Sequence, residues 1–306
     1  MHILVVNDDG PPSKRLSPYI RPFVDALEAA GHLVSVATPA ASRSWIGKAH
    51  LIEASLTATY VDKDSFEEDG TYREYRDSDG LEGNGNEWVV VTNGTPASCT
   101  QLGLYNLFTS RGPIDLVVSG PNHGRNASTI YNLSSGTVGG ALEAVTCGKR
   151  AIAVSFGSKD EQPVETICAA SRLTVRVIQY LSRHWDPNVE LYNLNVPMRA
   201  DVESRPVKYT RTLPIYWPRG CLYAENEING TNGVNGVNGM QMHHKQRHFK
   251  WSADLVDMKK ALQAAEQGTD AHTVLDGCTS VTPLRANLWH VPGLEGELDI
   301  DIDTHV

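Results

Sequence analysis

The sequence predicts an α/β protein built on a doubly wound, mostly parallel sheet, and three observations carry that reading. Short apolar runs recur at His2 to Val6, Leu33 to Thr38, Trp88 to Thr92, Asp115 to Ser119, Arg150 to Phe156 and Glu190 to Val196. Helical patterns separate most of them, and apolar strands alternating with helices make a parallel sheet covered on both faces. The first run leads directly into Asn7-Asp8-Asp9-Gly10. In a Rossmann-like sheet of this kind, the ligand crevice lies just beyond the carboxyl ends of the strands.

Each element has a local reason. After Gly10 and a polar loop with Pro11 and Pro12, Ser17-Pro18 opens a helix that places Ile20, Phe23, Val24 and Leu27 on one face, and Gly31 ends it. Strand, helix, strand in that order implies a right-handed crossover. The polar loop from Pro39 to Lys48 therefore reaches the same rim as Asp8 and Asp9 and brings Ser42, Arg43 and Ser44 there. Leu51 to Val61 alternates like a strand, and residues 62–87 read as an acidic, glycine-rich surface excursion. Thr95 caps a helix that has Pro96 in its first turn. The run Asp115 to Ser119 delivers Gly120 to Asn126 onto the rim. A helix starting at Ser134-Ser135-Gly136-Thr137 carries small residues, Gly139, Gly140 and Ala141, that permit close packing. Exposed amides at such a helix start attract anions. A long helix is expected from about Val164 to His184.

Beyond Pro197 the alternation stops. Residues 225–240 repeat Asn-Gly four times and read as a flexible low-complexity insert. A helix is expected over Ser252 to Gly268 and a short strand at Thr279 to Leu284. The expectation is one domain over residues 1–306, with a doubly wound core at 1–197 and a C-terminal extension at 198–306.

A formal net charge of -9 argues against a surface for duplex nucleic acid. No apolar run approaches the roughly 18 residues that span a bilayer. The five cysteines are odd in number and include no Cys-x-x-Cys pair, which suits a reducing compartment. Because the chain opens in a core strand, no signal peptide is read, and the expected location is cytoplasmic.

Two adjacent carboxylates repel unless a cation lies between them, and Mg²⁺, Mn²⁺ or Ca²⁺ takes such oxygen ligands. A solvated Asp-Gly turn is the plain alternative. With Ser44, Gly94-Thr95-Pro96, Val118-Ser119-Gly120-Pro121-Asn122 and Ser135-Gly136-Thr137-Val138 following in order, and Ser280 to Leu284 near the end, the chain resembles SurE, the survival-protein family of metal-dependent phosphatases and nucleotidases. The run Asn7 to Ser13 is most similar to the fungal branch, where such a domain can be fused to a tubulin-tyrosine-ligase-like domain. No such second domain is read in this sequence.

The resemblance implies that Asp8, Asp9, Ser44 and Asn122 bind one divalent metal ion per subunit, Mg²⁺ or Mn²⁺ with Ca²⁺ as a further candidate. Ser42 is the alternative to Ser44, and Asn122 has the alternative of a turn residue bonding its own backbone. Asn7 is read as bracing the loop. Asn126, Ser135, Gly136 and Thr137 would hold the substrate phosphate, with Asp8, Asp9 and Asn126 as the catalytic group. Attack by water and attack by Asp8 both stay open. The implied activity is a phosphomonoesterase acting on nucleoside monophosphates. A broad acid phosphatase and a SurE-like binding module with weakened catalysis are the alternatives. The implied assembly is a homodimer or tetramer, in which the aromatics Tyr216, Trp217, Tyr223, Trp251 and Trp289 find cover.

The sequence also departs from the family pattern. Ser98 stands where the family usually has an acidic residue, and Asn287 stands in the place of an aspartate that pairs with a histidine four residues on. His123, Arg125 and His290 are the candidates to protonate the leaving oxygen. The basic run His243, His244, Lys245, Arg247 and His248 reads as a solvated loop, not as a metal site.

Overall fold

The computed structural model describes residues 1–74, 87–216, 222–225, 247–252 and 256–287. Most of the Asn-Gly insert, His243 to Lys245, Trp217, Trp289 and His290 lie outside the described residues. In chain order the elements begin with β1 (His2–Val6), α1 (Ile20–Ala29), β2 (Leu33–Pro39), β3 (Thr57–Phe66), β4 (Tyr72–Glu74), β5 (Glu87–Thr92), α2 (Pro96–Leu102) and β6 (Leu116–His123). There follow α3 (Thr129–Ser134), α4 (Gly136–Thr146), β7 (Ala151–Phe156), α5 (Val164–Arg183), β8 (Leu191–Val196) and β9 (Val207–Tyr209). The last are β10 (Tyr223–Glu225), β11 (Phe249–Trp251), α6 (Val256–Gln263), α7 (Asp270–Leu275) and β12 (Thr279–Leu284).

The main sheet runs β4-β3-β5-β2-β1-β6-β7-β8-β12-β9. Its central six strands, β5-β2-β1-β6-β7-β8, are all parallel. Numbered among themselves they take the order 3-2-1-4-5-6, so the topological switch point falls between β1 and β6. Strand β1 alternates between two cores. Ile3 and Val5 face α1 and α5 with Phe23, Leu27 and Ile178, whereas Leu4 and Val6 join Val138, Ala141 and Ala144 of α4. All five of its residues are buried, which explains the unbroken apolar run.

Four local readings change. Helix α1 starts at Ile20, with Tyr19 as a cap whose side chain makes no capping bond, because Ser17 is held elsewhere: its hydroxyl accepts from Asn7 Nδ2 at 3.0 Å. Residues 51–54 form a turn, and the strand runs instead from Thr57 to Phe66 and pairs antiparallel with β5 and β4. Part of the expected excursion is thus a sheet edge, anchored where Phe66 packs on Trp88. Strand β6 continues past Ser119 to His123, with a shift of register against β7. The expected helix over 252–268 is shorter, α6, and is followed by α7, which Thr269 caps.

The C-terminal strand β12 pairs antiparallel with β8, from Ser280 opposite Asn195 to Leu284 opposite Leu191, and β9 lies parallel beside it. The end of β12 therefore points to the amino-terminal rim of the parallel strands, opposite the crevice.

Candidate active site

At the switch point, Asp8 and Asp9 leave β1 almost fully buried, 3% and 7% exposed. Asn7 fixes the turn from behind, donating to the Gly10 carbonyl at 2.8 Å and accepting the Gly10 amide at 3.2 Å. Asp8 points to the start of α4, where the Thr137 hydroxyl donates to its Oδ1 at 2.5 Å. Only glycine fits next to it. A Cβ on Gly136 would stand 2.7 Å from Asp8 Cβ, and one on Gly139 would stand 2.3 Å from the Gly47 carbonyl oxygen. Asp9, next to it, accepts the His123 amide at 2.7 Å from the end of β6.

The loop after β2 closes over this pair. The Arg43 amide donates to the Asp8 carbonyl at 2.7 Å, and its guanidinium donates to the Gly94 carbonyl at 2.8 Å. Ser44 is exposed at the rim and shares a hydrogen bond of 3.1 Å with Ser42. Asn122 is half-buried and its side-chain amide donates to the Gly124 carbonyl at 2.6 Å, which leaves the side-chain oxygen Oδ1 as the donor atom for a cation.

Electrostatics set this pair apart. Burial lifts the Asp8 carboxyl from 3.8 to about 6 against the pull of Thr137, backbone amides and Lys159. Burial, and then the Asp8 charge, push Asp9 well above its ordinary range, with the His123 amide and Lys159 opposing. Two carboxylates this close and this dry are short of positive charge. No group of three or more His, Cys, Asp or Glu side chains suited to a metal ion occurs among the described residues. The set expected here, two carboxylates with the neutral oxygens of Ser44 and Asn122, has the chemistry of one hard divalent cation.

Asn126 is held across the sheet. Its amide donates to Asn195 Oδ1 at 2.8 Å, its side chain donates to the Ser155 hydroxyl at 2.9 Å, and its carbonyl accepts from Asn193 and Asn195. Asn122, Ser155, Asn195 and Ser280 are register partners on successive strands and form a polar row along the crevice rim. Asp270 completes the support, accepting the amides of Ser128 and Leu213 at 2.9 Å each. At the start of α4, Ser135 accepts the Val138 amide at 3.1 Å and keeps its hydrogen to donate.

Sequence reasoning missed Lys159, Asn193, Asn195 and Asp270. Asn193 and Asn195 left a signal, two polar residues on one face of a buried strand; Lys159 and Asp270 left none. Ser98 forms a capping box with Thr95, their mutual bonds being 2.8 and 3.1 Å. The place of the family's acidic residue is thus taken by a cap. Asn287 is exposed just past the end of β12, off the opposite rim, so it takes no part in this crevice. The His123 ring, its pKa lowered by burial, meets Tyr19 edge-on at 5.2 Å and bonds backbone of the surrounding loops. Arg125 is half-buried, and its charge opposes the rise that burial imposes on the Tyr131 hydroxyl.

Fold and site together define a doubly wound α/β protein with an acidic crevice at its switch point. The chain belongs to the SurE family: the family model described as Survival protein SurE matches residues 3–218. It is 29% identical to the 5'-nucleotidase SurE of Rhodopirellula baltica over 94% of both chains. It is 31% identical to the 5'-nucleotidase SurE of Gloeobacter violaceus, over 96% of this chain and 93% of that one. A probable tubulin-tyrosine ligase, PBY1, of Saccharomyces cerevisiae is 33% identical over 98% of this chain, which spans 43% of that relative's length. The crystal structure of the SurE protein from Aquifex aeolicus superposes with a TM-score of 0.62 at 26% identity, covering 94% of this chain and 95% of that one. No described helix is long and apolar enough to cross a membrane.

Proposed function

We propose that this chain is a divalent-metal-dependent phosphomonoesterase that hydrolyses nucleoside monophosphates to nucleoside and phosphate. The observation that carries the proposal is the buried pair Asp8 and Asp9 at the switch point of the sheet, with Asp8 bonded to Thr137 at the start of α4. Relatives named 5'-nucleotidase SurE support the choice of substrate.

In this reading Asp8, Asp9, Ser44 and Asn122 hold one Mg²⁺, Mn²⁺ or Ca²⁺. When bound, such a cation supplies the positive charge that polarises a phosphoryl oxygen. The Ser135 hydroxyl and the free amide of Gly136 receive the non-bridging oxygens, at a helix start suited to anions. Thr137 serves through Asp8, because its hydroxyl hydrogen is already committed there. With one oxygen so engaged, Asp8 acts as an oriented carboxylate. Asn126, pinned at its amide, carbonyl and side chain, presents a fixed polar group to the phosphate.

The proposal extends to one domain over residues 1–306 and to a homodimer or tetramer, supported by exposed Tyr216 and Phe249. Cys99, Cys147, Cys168 and Cys278 are free, which suits a reducing, cytoplasmic setting. Phosphate release from a panel of nucleoside monophosphates, glycerol 2-phosphate and an aryl phosphate tests the assignment. Turnover of nucleotides with Mg²⁺ or Mn²⁺ and none with chelator is expected. Equal turnover of the whole panel would favour a broad acid phosphatase, and no turnover of any would favour a binding module.

A further inference from the structure

Beside the proposed phosphate cradle stands a group of aromatic side chains that the chemistry above does not use. Trp45, the residue after Ser44, adopts a left-handed backbone with φ 65°, which a bulky residue takes only when its surroundings hold it there. Its ring packs on Tyr131 at 5.8 Å between centroids and on Trp251 at 5.2 Å, and Trp251 meets Tyr223 edge-on at 5.5 Å. The cradle is adjacent by covalent and hydrogen-bonded links. The Tyr131 carbonyl accepts the Ser135 amide at 2.8 Å, and the Gly47 amide donates to the Ser134 carbonyl at 2.9 Å. From behind, Trp45 and Tyr131 rest on the apolar cluster of Ile130, Leu213, Ile215, Met258 and Leu262, which fixes their orientation. Trp251 and Tyr223 remain 47% and 50% exposed.

A rigid, half-open aromatic wall next to an anion cradle suits a ligand with a phosphate at one end and a flat ring at the other. We infer that Trp45, Tyr131, Trp251 and Tyr223 form a stacking platform for the base of the bound nucleotide, and that this platform selects base-bearing esters over aliphatic ones. The inference rests on the phosphate site proposed above and adds its specificity determinant.

The test compares calorimetric binding to the full chain, in the presence of Mn²⁺, of the non-hydrolysable phosphonate analogues of adenosine 5'-monophosphate and ribose 5-phosphate. The two ligands share phosphonate and sugar and differ by the base. Stacking on one such surface predicts about tenfold or more tighter binding of the nucleotide. Trp251→Ala should bring that ratio close to one by weakening the nucleotide alone, and Trp251→Phe should restore most of it. A ratio near one in the wild type would overturn the platform while leaving the phosphate site in place. So would an unchanged ratio in Trp251→Ala, or equal weakening of both ligands, which would mark the aromatics as structural support. Binding of neither ligand would overturn the phosphate site and the platform together.

Discussion

The Thr137 hydroxyl donates to Asp8 Oδ1 at 2.5 Å, so the helix whose start reads as a phosphate cradle also supports a buried carboxylate. That bond ties the loop after β1 to the start of α4, distant in sequence, and Gly136 permits it by lacking a Cβ. Replacing Thr137 with Val keeps the shape and removes the donor. Urea denaturation of the metal-free protein at pH 8 should show a loss of about 1–3 kcal/mol. The loss should be smaller at pH 5, where Asp8 is largely protonated, and Thr137→Ser should recover most of it. No change at pH 8 would mean that the hydroxyl is satisfied elsewhere.

The raised carboxylates fix the sign of a pH effect. Asp8 titrates at about 6 when folded and near 3.8 when unfolded, so the folded metal-free protein binds more protons between those values. Its stability contribution is present below about pH 4 and is lost as pH rises through 6, on the order of 3 kcal/mol for this one group. Asp9 shifts in the same direction. A cation removes the penalty by replacing the proton. The rise in melting temperature on adding Mg²⁺ or Mn²⁺ should therefore be larger at pH 8 than at pH 5, measured by scanning calorimetry. An equal rise at both would place the cation away from this pair.

Asn195 both accepts from and donates to the Asn126 backbone, at 2.8 and 3.0 Å. Asn195→Ala should leave those groups short of partners and loosen Asn126, at a stability cost of about 1–3 kcal/mol. Because Asp8 and Asp9 are untouched, Mn²⁺ affinity should stay within twofold while KM for a nucleotide rises about two- to tenfold, with half of that cost falling on the bound state. Parallel loss of metal affinity would show that the residue supports the whole rim.

Strand β12 covers the edge of β8, and Asp270 reaches back to the Ser128 amide. Truncation after Pro197 removes both and exposes an unpaired apolar edge. Expression of the truncated chain should yield insoluble or unfolded material. A soluble product with native circular dichroism would contradict this.

The parallel core was legible because its strands are buried on both faces, and Ile3 to Val6 cannot be read as anything half-solvated. The position of Asp8 and Asp9 followed from the rule for strand ends. What stayed illegible was relational. That Thr137 serves Asp8 depends on a contact across 129 residues, and that Asn287 lies off the far rim depends on the antiparallel turn of β12. Short elements were also missed. Helices α3 and α7 have six residues each, too few for a periodic signal, and their caps become recognisable only in place.

The central claim, that one divalent cation sits on Asp8 and Asp9 and drives phosphate release, is tested most directly on Asp9→Ala. Calorimetric Mn²⁺ titration and nucleotide hydrolysis are measured on the same preparations of variant and wild type. The account predicts that the variant loses metal binding and turnover together while remaining folded, since removing one of two carboxylates takes away half the charge that holds the cation. Wild-type Mn²⁺ affinity in the folded variant would contradict it.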